Sequence, residues 1–484
     1  MEITLPFVNL STIMPLLIVA FFAMAALLVD AFYRNKLYVF ITSLLGLGLA
    51  LFAVYSQWGA VVPPEESMVA INSYTVFFDT IFILVAAATM FISLGYVEFT
   101  GIDGGKYYPL LLLAVLGMML LVSCRDLLVM FQAIELLSIS SYVLVASQRE
   151  RWVSNEAAIK YMLTGAFASA FLLFGIALVF GGTGTIDFIK IKQALSQGTV
   201  PFHAQIGLAM MLVGLGFKIS MVPFHMWAPD VYEGAPTPIS GFLSAGSKIA
   251  VFALLLRLFA GPFAVPHVDW VATLWWISVL TMFVGNISAL LQNSVKRMLA
   301  YSSIAQVGYM LVALVVLDTR AMEAAVLYMA VYAMTGLAAF GCIAYLSKGP
   351  EERLNVQDYA GVAYNYPIQS AVLSVCLLSL AGIPLTAGFI GKLYLFGAAV
   401  NAGFVGLAVI GVLNSAVSLY YYLGLLLRMY TMPEGAGEPV VTHPMAGRLV
   451  LAILGVAILV LGVYPSPVLG LIKEAVAAIA SPVM

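Results

Sequence analysis

Stretches of roughly 20 consecutive apolar residues recur from one end of this 484-residue chain to the other. Hydrophobic residues make up 63% of the sequence and charged residues only 9%, whereas a soluble domain carries about 25% charged residues. An α-helix of about 20 apolar residues spans the hydrocarbon core of a bilayer and satisfies its own backbone hydrogen bonds there. The sequence therefore predicts an all-α polytopic membrane protein.

The apolar stretches divide into about fourteen transmembrane spans that are separated by connections. We expect these spans, numbered 1 to 14 below, at residues 9–31, 37–57, 74–95, 107–124, 126–147, 157–181, 204–225, 236–260, 269–291, 297–317, 323–347, 367–400, 404–430 and 446–470. The connections are short except 182–203, 348–366 and 431–445. None of them is long enough for a soluble domain. The net charge of −2 argues against a nucleic-acid partner.

Lys and Arg residues in the connections are distributed unequally between the two sides of the membrane. One side carries Arg34, Lys36, Lys106, Arg149, Arg151, Lys296, Arg297, Lys348, Arg353, Arg428 and Arg448, and the other carries Arg125, Lys190, Lys192, Arg320 and Lys473. Because cytoplasmic loops are enriched in Lys and Arg, we expect the first side to face the cytoplasm. An even number of spans then places both termini on the opposite side.

Two segments of the chain recur 167 residues later. Glu156–Met162 is repeated as Glu323–Met329, and Tyr142–Ala146 is repeated as Tyr309–Ala313. The shift corresponds to five spans, an odd number, so the two copies must cross the membrane in opposite directions. This arrangement is the inverted repeat of many transporters. It predicts four units, at residues 1–105 (three spans), 106–265 (repeat 1, spans 4–8), 266–432 (repeat 2, spans 9–13) and 433–484 (span 14).

Several ionisable residues lie inside the apolar spans, where a charged side chain is unfavourable by roughly 3 kcal/mol. They are Glu135, Lys160, Lys218, Lys248, Arg257 and Lys392. Burial disfavours the charged form of lysine, so a lysine in such a place can exchange protons with water and respond to a neighbouring charge. The set indicates a path for charge through the membrane, and a proton is the expected charge.

Spans 7 and 12 each contain helix-breaking residues beside a lysine. The first runs from Gly214 to Pro223 around Lys218, and the second runs from Gly382 to Lys392 with Pro384 in it. A proline inside a helix removes a backbone hydrogen bond. Unwound backbone at membrane depth is tolerated only where it faces protein or water. Each repeat is therefore predicted to contain one broken helix, with a packing kink and a snorkelling lysine as the alternative.

The other buried charges have structural interpretations that compete with a transport role. Lys160 follows Glu156 by four residues, which also fits a simple ion pair on one helix. Arg257 lies near the end of span 8 and is expected to snorkel or to pair structurally. Glu135 has no opposite charge at helical spacing, and a protonated, hydrogen-bonded carboxyl is its alternative.

Histidine and tyrosine side chains near these spans are further candidates. His225 follows Pro223 at the end of span 7, where it can relay protons or cap the helix. Tyr301 and the three consecutive tyrosines from Tyr420 to Tyr422 can order water, with interfacial packing as the alternative.

Three long motifs carry a resemblance to a known family. They are Val222–Pro238 with its continuation Gly241–Lys248, Lys296–Ile304, and Ala381–Lys392. These motifs resemble the antiporter-like membrane subunits of respiratory complex I, the proton-pumping NADH:quinone oxidoreductase, and among them subunit N. A lysine at position 392 rather than a glutamate departs from the pattern of subunit M. The chain also ends after span 14, without the lateral helix of subunit L.

The resemblance implies fourteen helices and inverted repeats in spans 4–8 and 9–13. It implies that Glu135 pairs with Lys218, that Lys248 connects this pair to Lys392, and that Lys160 matches a further lysine of the family. The implied location is a bacterial inner (plasma) membrane with both termini in the periplasm. Implied partners are the lipid bilayer, the neighbouring antiporter-like subunit M, the small subunit K and the lateral helix of subunit L.

The leading interpretation is a proton-translocating subunit of NADH:quinone oxidoreductase, in which quinone reduction elsewhere in the complex drives proton movement through buried Lys and Glu residues. The sequence has no Cys cluster, dinucleotide-binding glycine loop or haem ligand pair. We therefore expect no cofactor in this chain, with NADH, FMN, Fe–S clusters and quinone in partner subunits. The alternatives are a subunit of a multisubunit Na⁺/H⁺ antiporter, a subunit of a related ferredoxin- or hydrogenase-linked complex, and a structural spacer.

Overall fold

The apolar spans fold into α-helices because a helix satisfies the backbone hydrogen bonds that lipid cannot. The structure, a computed structural model, describes residues 10–33, 35–60, 69–196, 200–264, 270–347, 352–431 and 443–480. Within these ranges, thirteen helices are long and apolar enough to cross a membrane. One further span consists of two shorter helices. The predicted all-α polytopic fold of about fourteen spans is thereby confirmed.

The first eight spans extend from Leu10 to Ala260. Spans 1–6 are α1 (Leu10–Phe32), α2 (Lys36–Ser56), α3 (Ser73–Phe99), α4 (Gly104–Ser123), α5 (Leu127–Val145) and α6 (Trp152–Thr183). A short helix, α7 (Phe188–Ser196), follows them. Span 7 consists of α8 (Phe202–Ile219) and α9 (Trp227–Gly234), and span 8 consists of α10 (Thr237–Phe242), a π-helical turn (Leu243–Ser247) and α11 (Lys248–Ala260).

The remaining spans follow in the same alternating order. Spans 9–11 are α12 (Trp270–Leu290), α13 (Val295–Val316) and α14 (Thr319–Tyr345), and a 3₁₀ turn (Val356–Tyr359) and α15 (Val362–Asn365) lie in the next connection. Span 12 consists of α16 (Pro367–Ala381) and α17 (Ala387–Asn401), and spans 13 and 14 are α18 (Val405–Tyr430) and α19 (Met445–Val463). The last helix is α20 (Ser466–Ala480).

The end of span 14 differs from its prediction. We expected one helix to residue 470, but α19 ends at Val463 and α20 begins at Ser466. The break occurs because Pro465 cannot donate a backbone hydrogen bond and restricts Tyr464, the residue before it. Helix α20 packs against α3 and α14 and buries an apolar stripe that includes Ile472 and Val476.

Some predicted features lie outside the described residues. Arg34 and Lys348, both counted on the predicted cytoplasmic side, are among them, as is the boundary between residues 432 and 433. The division into four units and the sidedness of the termini remain predictions.

The two repeats have the same backbone arrangement at the start of their second spans, α5 and α13. In each, the residues at the start of one helix exchange two hydrogen bonds with a later connection. The bonds are Leu127 N to Ile186 O and Phe188 N to Arg125 O in the first repeat, and Val295 N to Leu354 O and Val356 N to Asn293 O in the second. Each of the four residues that form the bonds in the second repeat lies 168 positions after its counterpart in the first repeat. The inverted repeats inferred from the sequence are therefore present in the fold.

Both broken spans leave the helix through the same kind of turn. Ser220 (φ 63°) follows α8 and Gly382 (φ 84°) follows α16, each in the left-handed conformation. The Schellman hydrogen bond is present in both, from Met221 N to Gly216 O and from Ile383 N to Leu378 O. Pro223 and Pro384 then prevent the helix from continuing. The predicted broken helix in each repeat is confirmed.

Candidate functional site

Lys218 lies in the last turn of α8, directly before the first break, and its surface is 3% exposed. Its Nζ donates to Ser138 Oγ on α5 and, at 3.4 Å, to Tyr142 OH. The Ser138 hydroxyl donates to Ile134 O, so its oxygen accepts from the lysine. The ammonium also lies 5.3 Å from the ring centre of Tyr142 and 5.5 Å from that of Tyr161. Lys218 is thus held by one close hydroxyl and by aromatic faces.

Glu135 lies on the same face of α5, one turn before Ser138. It is half-buried, and Ser169 Oγ on α6 donates to its carboxylate. Among the described residues, no ion pair joins Glu135 directly to Lys218. The structure therefore brings the two predicted partners to neighbouring positions, with Ser138 between them along the helix face.

Lys248 is the first residue of α11, directly after the π-helical turn of span 8, and is 3% exposed. Its Nζ donates to Ser303 Oγ on α13 at 2.7 Å and lies 4.9 Å from the ring centre of Tyr232. Ser303 donates its own hydrogen to Ala300 O. Single π-helical turns inside α-helices are frequent at functional sites. Lys248 is therefore buried and in contact with side chains of both repeats.

Lys392 lies on α17, after the second break, and is 5% exposed. Its Nζ donates to Leu380 O at 2.8 Å, to Ala381 O at 3.3 Å and to Ser415 Oγ at 2.8 Å. Ser415 donates its hydrogen to Ala381 O, so all three partners of the lysine accept. Three acceptors match the three N–H donors of an ammonium group. An ammonium ion can be held there without a carboxylate.

The two broken-helix lysines occupy related positions. Lys392 lies 4.7 Å from the ring centre of Tyr309, which is the repeat counterpart of Tyr142 beside Lys218. Lys218 precedes its break and Lys392 follows its break. Because spans 7 and 12 cross the membrane in opposite directions, both lysines lie on the same side of their breaks.

A group of uncharged polar side chains lies between Lys248 and Lys392 and was not identified from the sequence, apart from Tyr422. Its members are Ser302, Gln306, Tyr328 and Tyr422, all buried. The sequence does contain a pattern that indicates part of this group: polar residues recur along one face of span 10 at helical spacing, at positions 302, 306 and 309. A neutral polar residue carries a much smaller insertion penalty than a charge, so this pattern is weaker than the lysines.

Lys160 is in a different environment from the three buried lysines. Its side chain is 46% exposed and forms ion pairs with Glu156 and with Asp230 on α9, both at 2.9 Å. Asp230 also pairs with Arg297 of α13 at 2.6 Å. The Glu156 pair considered from the sequence is present, and Lys160 belongs to an exposed network that links spans 6, 7 and 10.

His225 and Arg257 do not join the buried lysines through any described hydrogen bond. His225 lies in the first break, and its Nδ1 is buried without a hydrogen-bond partner among the described residues. Arg257 is 4% exposed and donates through Nη1 to Val122 O. Arg257 therefore makes a structural contact with α4 instead of snorkelling. Asp79, a carboxylate in span 3, has a buried Oδ1 without a hydrogen-bond partner among the described residues.

A second buried cluster lies where the two repeats meet, around Glu352 in the connection before span 12. Glu352 is paired with Arg151 at 2.8 Å and with Lys296 at 3.3 Å, and it accepts from Tyr96 OH at 2.7 Å and from Thr237. Burial by itself raises the pKa of Glu352, but the cations of Lys296 and Arg151 outweigh this effect and lower the pKa to about 2. Glu352 is therefore ionised at neutral pH and joins both repeats.

The described residues contain no group of three or more His, Cys, Asp or Glu side chains that can hold a metal ion. Cys124, Cys342 and Cys376 are buried and unpaired. The candidate site is built from lysines, the carboxylate of Glu135, hydroxyls, one amide and backbone carbonyls.

Comparison with known proteins places this arrangement in a family. The family model described as "NADH:quinone oxidoreductase/Mrp antiporter, TM" matches residues 124–418. NADH-quinone oxidoreductase subunit N of Trichlorobacter lovleyi is 43% identical over 478 residues, which cover 97% of each chain. The subunit N of Chloroflexus aggregans is 38% identical over 483 residues, which cover 98% of each chain.

Solved structures give the same result for the fold. A chain of respiratory complex I from Thermus thermophilus matches with a TM-score of 0.81 and 37% identity, over 95% of this chain and 100% of that one. A chain of the Mrp complex from Dietzia sp. DQ12-45-1b matches with a TM-score of 0.86 at 21% identity, over 98% of each chain. At this lower identity, the second match demonstrates a shared fold alone.

Proposed function

Since this chain belongs to the NADH-quinone oxidoreductase subunit N family, we propose that it translocates protons as a membrane subunit of such a complex. The observation that carries the proposal is the state of the three buried lysines. Among the described residues, no ion pair joins Lys218, Lys248 or Lys392 to a carboxylate. A structural spacer would neutralise its buried charges, as Glu352, Lys296 and Arg151 do here.

Each of the three lysines can take up and release a proton at its Nζ. A neutral amine accepts a proton from water, and the hydroxyls of Ser138 and Ser303 lie beside Lys218 and Lys248 to hold the resulting ammonium. Lys392 is held by two carbonyls and a hydroxyl. The function proposed for these groups is sequential protonation, from Lys218 through Lys248 to Lys392.

Glu135 supplies the charge that loads the first lysine. A carboxylate about 7 Å from an ammonium, at an effective dielectric constant of about 20, changes the free energy of protonation by roughly 2.4 kcal/mol. At an assumed separation of about 7 Å, moving or neutralising Glu135 would change the proton affinity of Lys218 by more than a factor of ten. A conformational signal that moves α5 relative to α8 is sufficient to couple proton movement to a reaction elsewhere in the complex.

The redox chemistry of the complex belongs to its other subunits under this proposal. NADH, FMN, Fe–S clusters and quinone would be bound there, and subunits M, K and L are the proposed neighbours. His225 is proposed to relay protons at the first break. Lys160, which is held by two ion pairs, is assigned a structural role. The runner-up function, a multisubunit Na⁺/H⁺ antiporter subunit, has the same fold in the Mrp complex but a lower identity to this chain.

Inverted membrane vesicles from a strain whose chromosomal gene carries Lys392→Ala test the proposal. NADH-dependent quinone reduction and vesicle acidification are followed together, and native gels check assembly. We expect fewer protons moved per NADH oxidised in an assembled complex, because one proton-accepting group is lost. Lys473→Ala on the exposed face of α20 is the matched control. Normal acidification and normal NADH oxidation in Lys392→Ala would reject the proposal, and sodium-sensitive growth of that strain would favour the antiporter.

A further inference from the structure

Gln306 on α13 is fully buried and lies between the two lysines at the end of the proposed path. Its Nε2 donates to Leu380 O and to Tyr422 OH, both at 3.2 Å. Tyr328 OH donates to its Oε1. The amide therefore contacts three other helices, α14, α16 and α18, and all of its strong hydrogen-bonding groups are used.

Lys392 shares one hydrogen-bond partner with Gln306, and the acceptor of Lys248 lies next in the chain to a residue that is bonded to another partner of Gln306. On one side, Lys392 Nζ donates at 2.8 Å to the same Leu380 carbonyl that accepts from Gln306. On the other side, Tyr422 OH is hydrogen-bonded to Ser302, which is adjacent in the chain to the serine that accepts from Lys248. Gln306 thus shares an acceptor with Lys392 and approaches the acceptor of Lys248 through Tyr422 and Ser302.

The orientation of this amide is fixed by its partners. The Leu380 carbonyl can only accept, so the group that faces it must be Nε2. The Oε1 atom then faces Tyr328, which must donate. The Tyr422 oxygen accepts from Nε2, and its own hydrogen is left for Ser302. A rotation of the amide by half a turn would place two acceptors, Oε1 and Leu380 O, against each other.

An amide held in this way does not pass protons. It donates from nitrogen and accepts at oxygen, and neither its protonated nor its deprotonated form is accessible near neutral pH, because the first is a strong acid and the second a strong base. The Leu380 carbonyl only accepts. A hydroxyl or a water molecule, in contrast, can receive one proton and release another.

The geometry points to Gln306 as a positioning residue that separates Lys392 from Lys248: we infer that it holds the contacts between them in place while blocking direct proton exchange. This inference rests on the proposed function. It predicts that Lys392 exchanges protons with Lys248 only when the amide moves away or water enters.

The first repeat has a different group at the related place. Ser138 precedes Tyr142 by four residues, and Gln306 precedes Tyr309 by three, so each lies one turn before the tyrosine under its lysine. Ser138 contacts Lys218 directly and is a hydroxyl. The first lysine therefore has a group that can relay protons where the second repeat has an amide.

Two variants of Gln306 test the inference. One makes room for water at the position of the amide, and the other excludes water from it. Gln306→Ser shortens the side chain and leaves room for a water molecule among Tyr328, Leu380 and Tyr422, whose polar atoms satisfy it. Gln306→Met loses the same hydrogen bonds but fills the space with an apolar chain. The readouts are protons moved per NADH and the decay of a pre-formed pH gradient in the intact complex after NADH oxidation is stopped.

We expect Gln306→Ser to accelerate the decay on the order of tenfold or more and to lower the protons moved per NADH, because a relay group now connects the lysines. Gln306→Met is expected to keep the slow decay of the wild type. Gln369→Ser, a buried glutamine 11 residues before Leu380 on the same helix and so roughly 16 Å away along its axis, is the matched control.

Equal decay in the Ser and Met variants would overturn the inference, because general loosening of the packing would then explain both. If Gln306→Ser does not assemble, Gln306→Asn shortens the amide by one methylene group and is expected to give the same difference from Met. Adding Lys392→Ala to Gln306→Ser is expected to abolish the fast decay. A fast decay that persists without Lys392 would also overturn the inference. The proposed function fails separately, through normal acidification in Lys392→Ala alone.

Discussion

Lys218 and Lys392 lie beside helix breaks of the same kind, yet different groups hold their amines. In the second repeat, the break frees the carbonyls of Leu380 and Ala381, and Lys392 uses both. In the first repeat, no described hydrogen bond joins Lys218 to a carbonyl of its break, and Phe217 O, the counterpart of Ser379 O, accepts from the indole Nε1 of Trp227 at 2.8 Å. Lys218 donates instead to the hydroxyls of Ser138 and Tyr142 on α5.

This difference explains why only one repeat has a carboxylate. Lys392 has three acceptors and needs no counter-charge to be held as an ammonium ion. Lys218 has a single close acceptor, and Glu135 lies one turn from it on the same helix face. At the position of Glu135, the second repeat has Ser302, which bonds to Tyr422. Lys392 is thus held by carbonyls of its break, whereas Lys218 is held by a hydroxyl and has a carboxylate one turn away from that hydroxyl.

Among the substitutions considered, Glu352→Gln is expected to have the largest effect, which is on the free energy of unfolding. It tests whether the paired charges around Glu352 stabilise the fold, in contrast to the unpaired lysines. Removing one partner of a buried ion pair typically lowers the free energy of unfolding by about 3–5 kcal/mol. The pKa of Glu352 is lowered to about 2, so this stabilisation is present at neutral pH and is lost as the pH falls from the ordinary value near 4.5 towards 2. Thermal unfolding of the purified complex at pH 7 and pH 4 measures it. An unchanged midpoint at pH 7 would contradict a structural role for this cluster.

Glu135→Gln is expected to have the next largest effect. It keeps the size and the hydrogen-bonding capacity of the side chain but removes the charge, so proton transfer through Lys218 is expected to slow on the order of a hundredfold. Ser302→Ala in the second repeat is the matched variant and is expected to change transfer much less. The measurement is initial acidification rate per NADH oxidised in vesicles. If Glu135→Gln and Ser302→Ala reduced the acidification rate equally, a carboxylate would not be required in the first repeat alone, which contradicts the difference described above.

Ser138→Ala and Ser415→Ala compare the two lysines directly. Loss of a hydrogen bond to a charged group changes free energy by about 1.5 kcal/mol or more, which is roughly tenfold in rate or occupancy. Ser138→Ala removes the single close acceptor of Lys218, whereas Ser415→Ala leaves Lys392 two carbonyls. The first is therefore expected to reduce coupled acidification more than the second. The reverse order would rule out the explanation given for the missing carboxylate in repeat 2.

Lys160→Gln is expected to have the smallest effect. Its ion pairs with Glu156 and Asp230 are half exposed, and pairs of this kind contribute at most about 1 kcal/mol. Protons moved per NADH and the unfolding midpoint are both expected to stay near their wild-type values. A loss of acidification comparable to that of Glu135→Gln would place Lys160 on the proton path.

Much of the fold follows from the sequence because lipid leaves the backbone few choices. Runs of apolar residues must be helical at membrane depth, and the glycines and prolines of spans 7 and 12 predict the two breaks. The separation of α20 from α19 was missed because Pro465 falls inside a continuous apolar run, and hydropathy averages over it.

Apart from Tyr422, the residues of the candidate site were predicted only where they are charged. Lys218, Lys248, Lys392 and Glu135 are conspicuous because each is unfavourable in hydrocarbon. Gln306 and Ser415 are not conspicuous in the sequence, because neutral polar residues are common in helices that pack against other helices. The carbonyls that hold Lys392 cannot be read from side chains at all, since every residue has one. Only the geometry of the break identifies them.

The placement of Lys218 and Lys392 on the same side of their breaks has an electrical consequence. A membrane potential does work only on charge displaced along the membrane normal, about 2.3 kcal/mol per elementary charge per 100 mV. Under the proposed function, a proton that passes between these two lysines travels largely in the plane of the membrane, and the voltage hardly opposes it. Nearly all of the work against the potential then falls on the steps by which protons enter and leave the chain.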